Sequence, residues 1–402
     1  MVSSDSSSLL LYNARILTSK QVIDGGWLRI EQQTIMELGY GDPPQDLLHS
    51  VSMMSINVEG HWLAPGFIDM HVHGADGADV MDGTVEALVT IGQFHARHGT
   101  TAWLPTTLTA PLTALQKSVS AVATMYQEQY RLSGVQGAAS VLGIHLEGPF
   151  VSSDKAGAQN PRYISAPNLI TLEQLVNTAP SIIKKITLAP ELPGILPLIS
   201  WLTQRNVIVS LGHSDATFQE TMKGIEAGAT HATHLFNAMR GLHHRDGGVV
   251  GACLYADAIV CELIADGYHV SPEVMSLALR LKGPDHIALI TDAISATGKP
   301  EGKYQLGGLD ITVMGDRSVL ADGHTLAGST LTMDQAVRTM VQRVGVSLQD
   351  AVVMASTTPA RELGLADRKG RLAIGFDADL VVLNESLQVA KTFVLGREAF
   401  CR

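Results

Sequence analysis

From Pro65 onward one pattern recurs eight times: a short apolar run that reads as a strand, followed by a helical period or a connecting loop. The runs are FIDMHVHG, TAWLPTTL, VLGIHLEGPF, KKITLAPE, NVIVSLGHSDA, ATHLFNAM, IVCELIADGYH and HIALITDAIS. Helical periods are expected near 85–98, 112–130, 172–178, 194–205, 218–227, 272–281 and 333–344, while the sixth run is followed by a long loop and a short apolar segment, 249–255. Apolar strands alternating with helices demand a sheet covered on both faces. Eight such units match a (β/α)8 TIM-like barrel in number and length, with an open doubly wound sheet as the alternative.

The flanks read differently. Residues 9–58 alternate apolar and polar positions, with turn signals at Asp24-Gly25-Gly26 and Gly41-Asp42-Pro43-Pro44, and the tail 370–396 returns to strand-like runs. The expected organisation is a small β-sandwich domain built from 1–64 and 365–402, with the α/β barrel, 65–364, inserted between them. Within the barrel, 302–323 reads as an inserted hairpin, because its alternation is broken by Gly-Asp and Asp-Gly turns.

Composition narrows the function classes. With 46% hydrophobic and 17% charged residues among 402, the chain can bury a large core. A formal net charge of -11 and the lack of any Lys/Arg run argue against nucleic-acid binding. Three scattered cysteines suit neither a disulfide framework nor a Cys-based zinc site, which points to a reducing compartment. The opening MVSSDSSSLLLYNARIL has no basic n-region, and no stretch approaches a membrane span, so a cytoplasmic protein without membrane contact is expected.

His71 and His73 stand two apart at the end of the first barrel run, where alternation sends both side chains to one face. Further candidate ligands recur at the ends of other runs: Glu147, His213, His234 and Asp292. Taken singly, each reads as readily as a structural polar residue. Jointly they favour a site, because active sites of such barrels form at the C-terminal ends of the strands. Glu147, His213 and His234 could hold a borderline-soft divalent ion with an open position for water, giving a nucleophile for carbonyl hydrolysis at neutral pH. Asp292 is the candidate proton shuttle between that water and a leaving group. His145 could share the interior face and hydrogen-bond to the ligands, while His231 reads as structural.

These residues, with PGFIDMHVHG (65–74), HLEGPF (145–150), KAGAQNP (155–161), LGHSDA (211–216), THLFNAM (233–239), HHRDGG (243–248), ADGYH (265–269), TDAISATG (291–298), LAGSTLTMD (326–334) and GFDADLVVL (375–383), resemble the amidohydrolase superfamily over nearly the whole chain. HLEGP with HLFNAM and ADGxH is similar to its branch of amino-sugar-phosphate deacetylases. The resemblance implies hydrolysis of N-acetyl-D-glucosamine 6-phosphate to D-glucosamine 6-phosphate and acetate, in amino-sugar catabolism and recycling. It implies a metal at Glu147, His213 and His234, most naturally Zn2+ with Fe2+, Co2+ or Mn2+ as alternatives, and a second ion at His71 and His73 bridged by Glu147, making one or two per subunit. Asp292 is then general base and acid.

Sugar or phosphate contacts are implied for Ala158, Gln159, Asn237, Ala238, Asp266, His269, Leu326, Ala327 and Gly328. Arg245 is expected to bind the phosphate of the neighbouring active site in a homodimer, where a guanidinium can grip it bidentately. Many members carry a histidine that steadies the substrate carbonyl where this chain has Gln159, which offers an uncharged amide donor instead. Another amidohydrolase activity, such as cyclic-amide hydrolysis or deamination, and a binding protein without catalysis are the competing readings.

Overall fold

A computed structural model of the chain describes residues 8–19, 21–131 and 137–402; residues 1–7, with most of the opening serine tract, lie outside them. Eight parallel strands form the barrel: Phe67–Val72, Thr100–Thr107, Ile144–Glu147, Ile183–Leu188, Ile208–Leu211, His231–Ala232, Val260–Ile264 and Ile287–Ile290. Each pairs with the next in chain order, and the short strand Ser140–Val141 adds to the second. Closure joins the first strand to the eighth through Asp292 N–H to His71 O (2.9 Å) and His73 N–H to Ala293 O (2.8 Å). Asp69 fastens the same seam from below, accepting from Thr291 Oγ1 at 2.6 Å and from the His71 N–H at 3.2 Å. The open-sheet alternative is thereby excluded.

All six residues of the first strand and all eight of the second are buried, as expected when helices cover one face and the barrel interior the other. The short apolar segment after the sixth strand is itself a helix, Gly248–Tyr255, and the other covering helices, Val85–Ala96, Leu112–Arg131, Leu169–Thr178, Ile195–Thr203, Phe218–Glu226, Pro272–Lys282 and Met333–Thr339, fall where the periodicity places them. The last continues as a π-turn over Met340–Val344. Their starts follow local chemistry: Thr217 and Glu220 form a reciprocal capping box, and the Thr84 side chain accepts from the Ala87 N–H. Among the described residues, no helix is long and apolar enough to cross a membrane.

Both flanks enter one eight-stranded sheet in the order Arg397–Cys401, Val389–Val394, Leu380–Leu383, Trp62–Pro65, Ser8–Leu17, Val22–Glu31, Thr34–Gly39, with Met53–Asn57 beside Ser8–Leu17. Leu11, Ile30, Ile35, Leu380 and Phe393 from strands far apart in that order share one core. The sheet therefore folds over itself, with Ile35 N–H reaching Phe376 O at 2.9 Å.

The insertion differs from the expected hairpin by one strand. It is a three-stranded meander, Gly302–Leu306, Leu309–Met314 and Arg317–Leu320, turning at Gly307-Gly308 and at Gly315, where φ is positive. The two hairpins share the middle strand, Leu309–Met314. Leu306, Ile311 and Val313 pack on Leu108, Ile294 and Ala327, which lays the meander beside the C-terminal mouth of the barrel.

Candidate metal centre and active site

Six side chains from five strand ends converge at that mouth. Glu147 closes the third strand, whereas His213, His234 and Asp292 each lie two residues beyond the fifth, sixth and eighth strands. Those three have φ of 48°, 33° and 53°, a left-handed conformation that non-glycine residues rarely adopt and that turns each side chain back over the barrel. Gly148, at φ 86°, carries the chain away from Glu147 where a Cβ would collide with Thr109 Oγ1.

The donor atoms form two groups that meet at Glu147. Its Oε1 lies 3.2 Å from His213 Nε2 and 3.1 Å from His234 Nε2, and those nitrogens are 3.1 Å apart. In the second group, Asp292 Oδ1 is 3.1 Å from His73 Nε2 and 3.4 Å from His71 Nε2, and the two nitrogens are 3.2 Å apart. Glu147 reaches this group as well, Oε2 to His73 at 3.3 Å and Oε1 to His71 at 3.4 Å.

The opposite edge of each imidazole tests whether these groups suit a metal. His73 Nδ1 faces Thr106 O (3.1 Å), His213 Nδ1 faces Lys155 O (2.9 Å), and His234 Nδ1 faces Asn237 O (3.1 Å). Such partners accept only, so these rings carry their proton on Nδ1. His71 Nδ1 faces Glu262 Oε2 at 3.2 Å, with the same consequence. Four Nε2 lone pairs therefore point at two carboxylates, an arrangement that repels itself unless cations lie between them. This chemistry fits divalent ions.

Electrostatics agree. Burial resists ionisation of Glu147, yet His71, His213 and His234 hold its carboxyl well below the usual range. Asp292 is lowered in the same way, burial being outweighed by His71 and His73. Burial also opposes charge on His71 and His73, but Glu147 and Asp292 raise them to about 10 and about 9. The cluster thus calls for positive charge at its centre. Protons supply it poorly, since two N–H groups would face each other across 3.2 Å.

The site opens into a cavity of about 390 Å3, of a size for a small ligand. Of the expected contacts, Ala158, Gln159, Asn237, Ala238, His269, Leu326 and Gly328 line it, as do His73, Glu147, His213, His234 and Asp292. Asp266 stands behind His269, its Oδ2 2.6 Å from Nδ1, so the far edge of that ring is free for a ligand. Ala327 and His71 are wholly buried and absent from the wall. Arg245 is exposed on the loop after the sixth strand, beside His244 Nε2 at 2.8 Å, and does not line its own cavity.

Two expectations change. His145 shares the interior but bonds to Thr187 Oγ1 (2.7 Å) rather than to a ligand, and packs edge-on against His71 with centroids 4.7 Å apart. The Gln159 amide is held inside the protein: its Oε1 accepts from the Thr109 N–H at 2.7 Å, which turns Nε2 to donate to Glu147 Oε2 at 2.6 Å. Gln159 therefore orients Glu147 instead of standing clear as a carbonyl donor. The sequence reading also missed Lys155, Leu306, His324 and Thr325 in the wall. Lys155 lies inside a motif already singled out; the others sit on or beside the meander, with no local signal.

The amidohydrolase family profile matches residues 62–399. The chain is 42% identical over 350 residues to the N-acetylglucosamine-6-phosphate deacetylase of Lysinibacillus sphaericus, covering 87% of this chain and 88% of that one. It is 39% identical over 385 residues to the N-acetylgalactosamine-6-phosphate deacetylase of Escherichia coli O157:H7, covering 96% and 97%. Among solved structures, it superposes with a TM-score of 0.89 and 33% identity, over 98% of this chain and 99% of the other, on a point mutant of the Mycobacterium smegmatis N-acetyl-D-glucosamine-6-phosphate deacetylase in complex with N-acetyl-D-glucosamine-6-phosphate.

Proposed function

Because the chain belongs to the amidohydrolase family, we propose that it is a metal-dependent deacetylase hydrolysing N-acetyl-D-glucosamine 6-phosphate to D-glucosamine 6-phosphate and acetate, within amino-sugar catabolism and recycling. The observation that carries this is the convergence of Glu147, His213, His234, His71, His73 and Asp292 in one cluster, which all but the buried His71 present to a cavity at the barrel mouth. Glu147, His213 and His234 would hold one divalent ion, and His71, His73 and Asp292, with Glu147 shared, a second; zinc suits the nitrogen-rich donor set best. When bound, such an ion supplies Lewis acidity, polarising a carbonyl and making water nucleophilic at neutral pH.

The protein's own groups do the rest. Asp292 takes a proton from the water attacking the acetyl carbon and returns it to the sugar nitrogen as the C–N bond breaks, releasing amine and acetate. Gln159 fixes Glu147 from one side, and His269, steadied by Asp266, faces the sugar. Asn237, Ala238 and the 326–328 segment shape the remaining wall. Since Arg245 does not line its own cavity, the reading has it reach across a homodimer to the neighbour's phosphate. Residues 65–364 are the catalytic unit, and free cysteines at 253, 261 and 401 suit a cytoplasmic setting.

The test is acetate release by zinc-loaded protein from the glucosamine compound, with its galactosamine epimer and the unphosphorylated sugar alongside. Turnover greatest on N-acetyl-D-glucosamine 6-phosphate is expected. No release from any N-acetyl sugar phosphate would refute the reading.

A further inference from the structure

Inside the barrel, beneath the cluster, lies an ion pair that the mechanism does not use. Lys185 on the fourth strand and Glu262 on the seventh are each 0% exposed and joined Nζ to Oε1. Such a pair is seldom more stabilising than apolar side chains of the same volume, so stability alone is a weak reason for it. The other oxygen of Glu262 offers a better one. Oε2 stands 3.2 Å from His71 Nδ1 and accepts from the backbone N–H of His234 at 3.4 Å. One carboxylate oxygen thus touches a residue from each half of the cluster.

We propose that Glu262, itself held by Lys185, is a positioning residue for the His71–His73–Asp292 half of the site: by accepting the Nδ1 proton of His71, it presents Nε2 of that ring as a free donor to a divalent cation. The ion itself rests on the deacetylase reading above. His71 is set apart from the other three rings, whose Nδ1 atoms face backbone carbonyls that the fold supplies in any case. Its ring stands in the barrel interior, where a side chain from another strand must do this work. His145, the nearest alternative, is engaged with Thr187. A carboxylate in this place fixes the tautomer and strengthens the donor. Lys185 cancels its charge, so Glu262 adds no net negative charge beside Glu147 and Asp292.

Removing one partner would bury the other unpaired, so the test uses paired substitutions in the full chain. Lys185→Met/Glu262→Gln keeps an oxygen for His71 Nδ1; Lys185→Met/Glu262→Leu keeps none, and Lys185→Met/Glu262→Thr, too short to reach the ring, serves if the Leu pair does not fold. Each protein is stripped of metal, titrated with Zn2+ and counted by mass spectrometry, with circular dichroism and thermal unfolding to verify the fold. Wild type and the Gln pair are expected to take up two ions per subunit. The Leu or Thr pair should lose the ion expected at His71, His73 and Asp292, its affinity falling about 10–100-fold. A folded Leu or Thr pair with two ions at unchanged affinity would overturn the proposal, as would wild type binding only one. Two ions bound without acetate release from the sugar phosphate would instead count against the deacetylase reading alone.

Discussion

His213, His234 and Asp292 hold left-handed backbone conformations that cost on the order of 1–3 kcal/mol each, and the surrounding fold must sustain them. Their residue types at the ends of apolar runs were legible in the sequence, because period-two alternation and the habit of barrel sites predict the face. The positive φ was not, since it depends on partners elsewhere, such as the Asp292 N–H on His71 O. The orientation of Gln159 was hidden for the same reason: the N–H that turns its amide belongs to Thr109, 50 residues away. Asp292→Asn keeps the shape and loses the proton acceptor. Turnover should fall about 10²–10⁴-fold while Glu147, His213 and His234 retain their ion; acetate release measured with metal content checks this, and full activity would remove Asp292 from the mechanism. Gln159→Leu leaves the buried Thr109 N–H unpaired and Glu147 less constrained. A loss of about 1–3 kcal/mol of stability is expected by thermal unfolding, together with a lower kcat.

At the scale of elements, strands and helices were readable because their apolar periods differ, and the covering helices fall close to the expected ranges. The meander was only half legible: the Gly-Asp signal marks the turn at Gly315-Asp316, whereas the turn at Gly307-Gly308, which adds the extra strand, was not read from the sequence. Yet it places Leu306 in the cavity wall, and His324 and Thr325 follow directly after it. His324→Ala and Thr325→Ala should therefore raise KM several-fold with little change in kcat, read from initial rates. The helix Met333–Thr339 is tied to the turn after helix Val85–Ala96 through Asp334, which meets Arg338 at 2.6 Å and His98 Nδ1 at 3.1 Å. Burial pushes the Asp334 pKa up, but His98, Arg338 and Thr332 outweigh it and hold it at about 2, against an ordinary 3.8. A depressed carboxyl stabilises above its unfolded pKa, and that contribution fades as pH falls from about 4 towards 2. Asp334→Asn should cost about 2 kcal/mol at pH 7, and the gap in melting temperature from wild type should narrow below pH 4. A gap independent of pH would exclude the ionic contribution.

At the scale of the molecule, one barrel gathers side chains 221 positions apart in the sequence, His71 to Asp292, while a sheet from both flanks packs beside it. The strand count gave the barrel away. Arg245, the proposed phosphate ligand, does not line its own cavity. If it serves the neighbouring subunit, mixing Arg245→Ala with Asp292→Asn protein, each nearly inactive at low substrate, should restore about a quarter of the sites, since half of randomly formed dimers carry one intact site. No restoration after verified subunit exchange would place Arg245 outside the partner's site. The central claim is that Glu147 joins two groups of ligands around divalent ions. An anomalous difference map from zinc-loaded crystals, recorded at the zinc edge, tests it most directly. Two peaks are predicted, one among Glu147, His213 and His234 and one among His71, His73 and Asp292, each within coordination distance of Glu147; peaks elsewhere, or none at Glu147, would contradict the account.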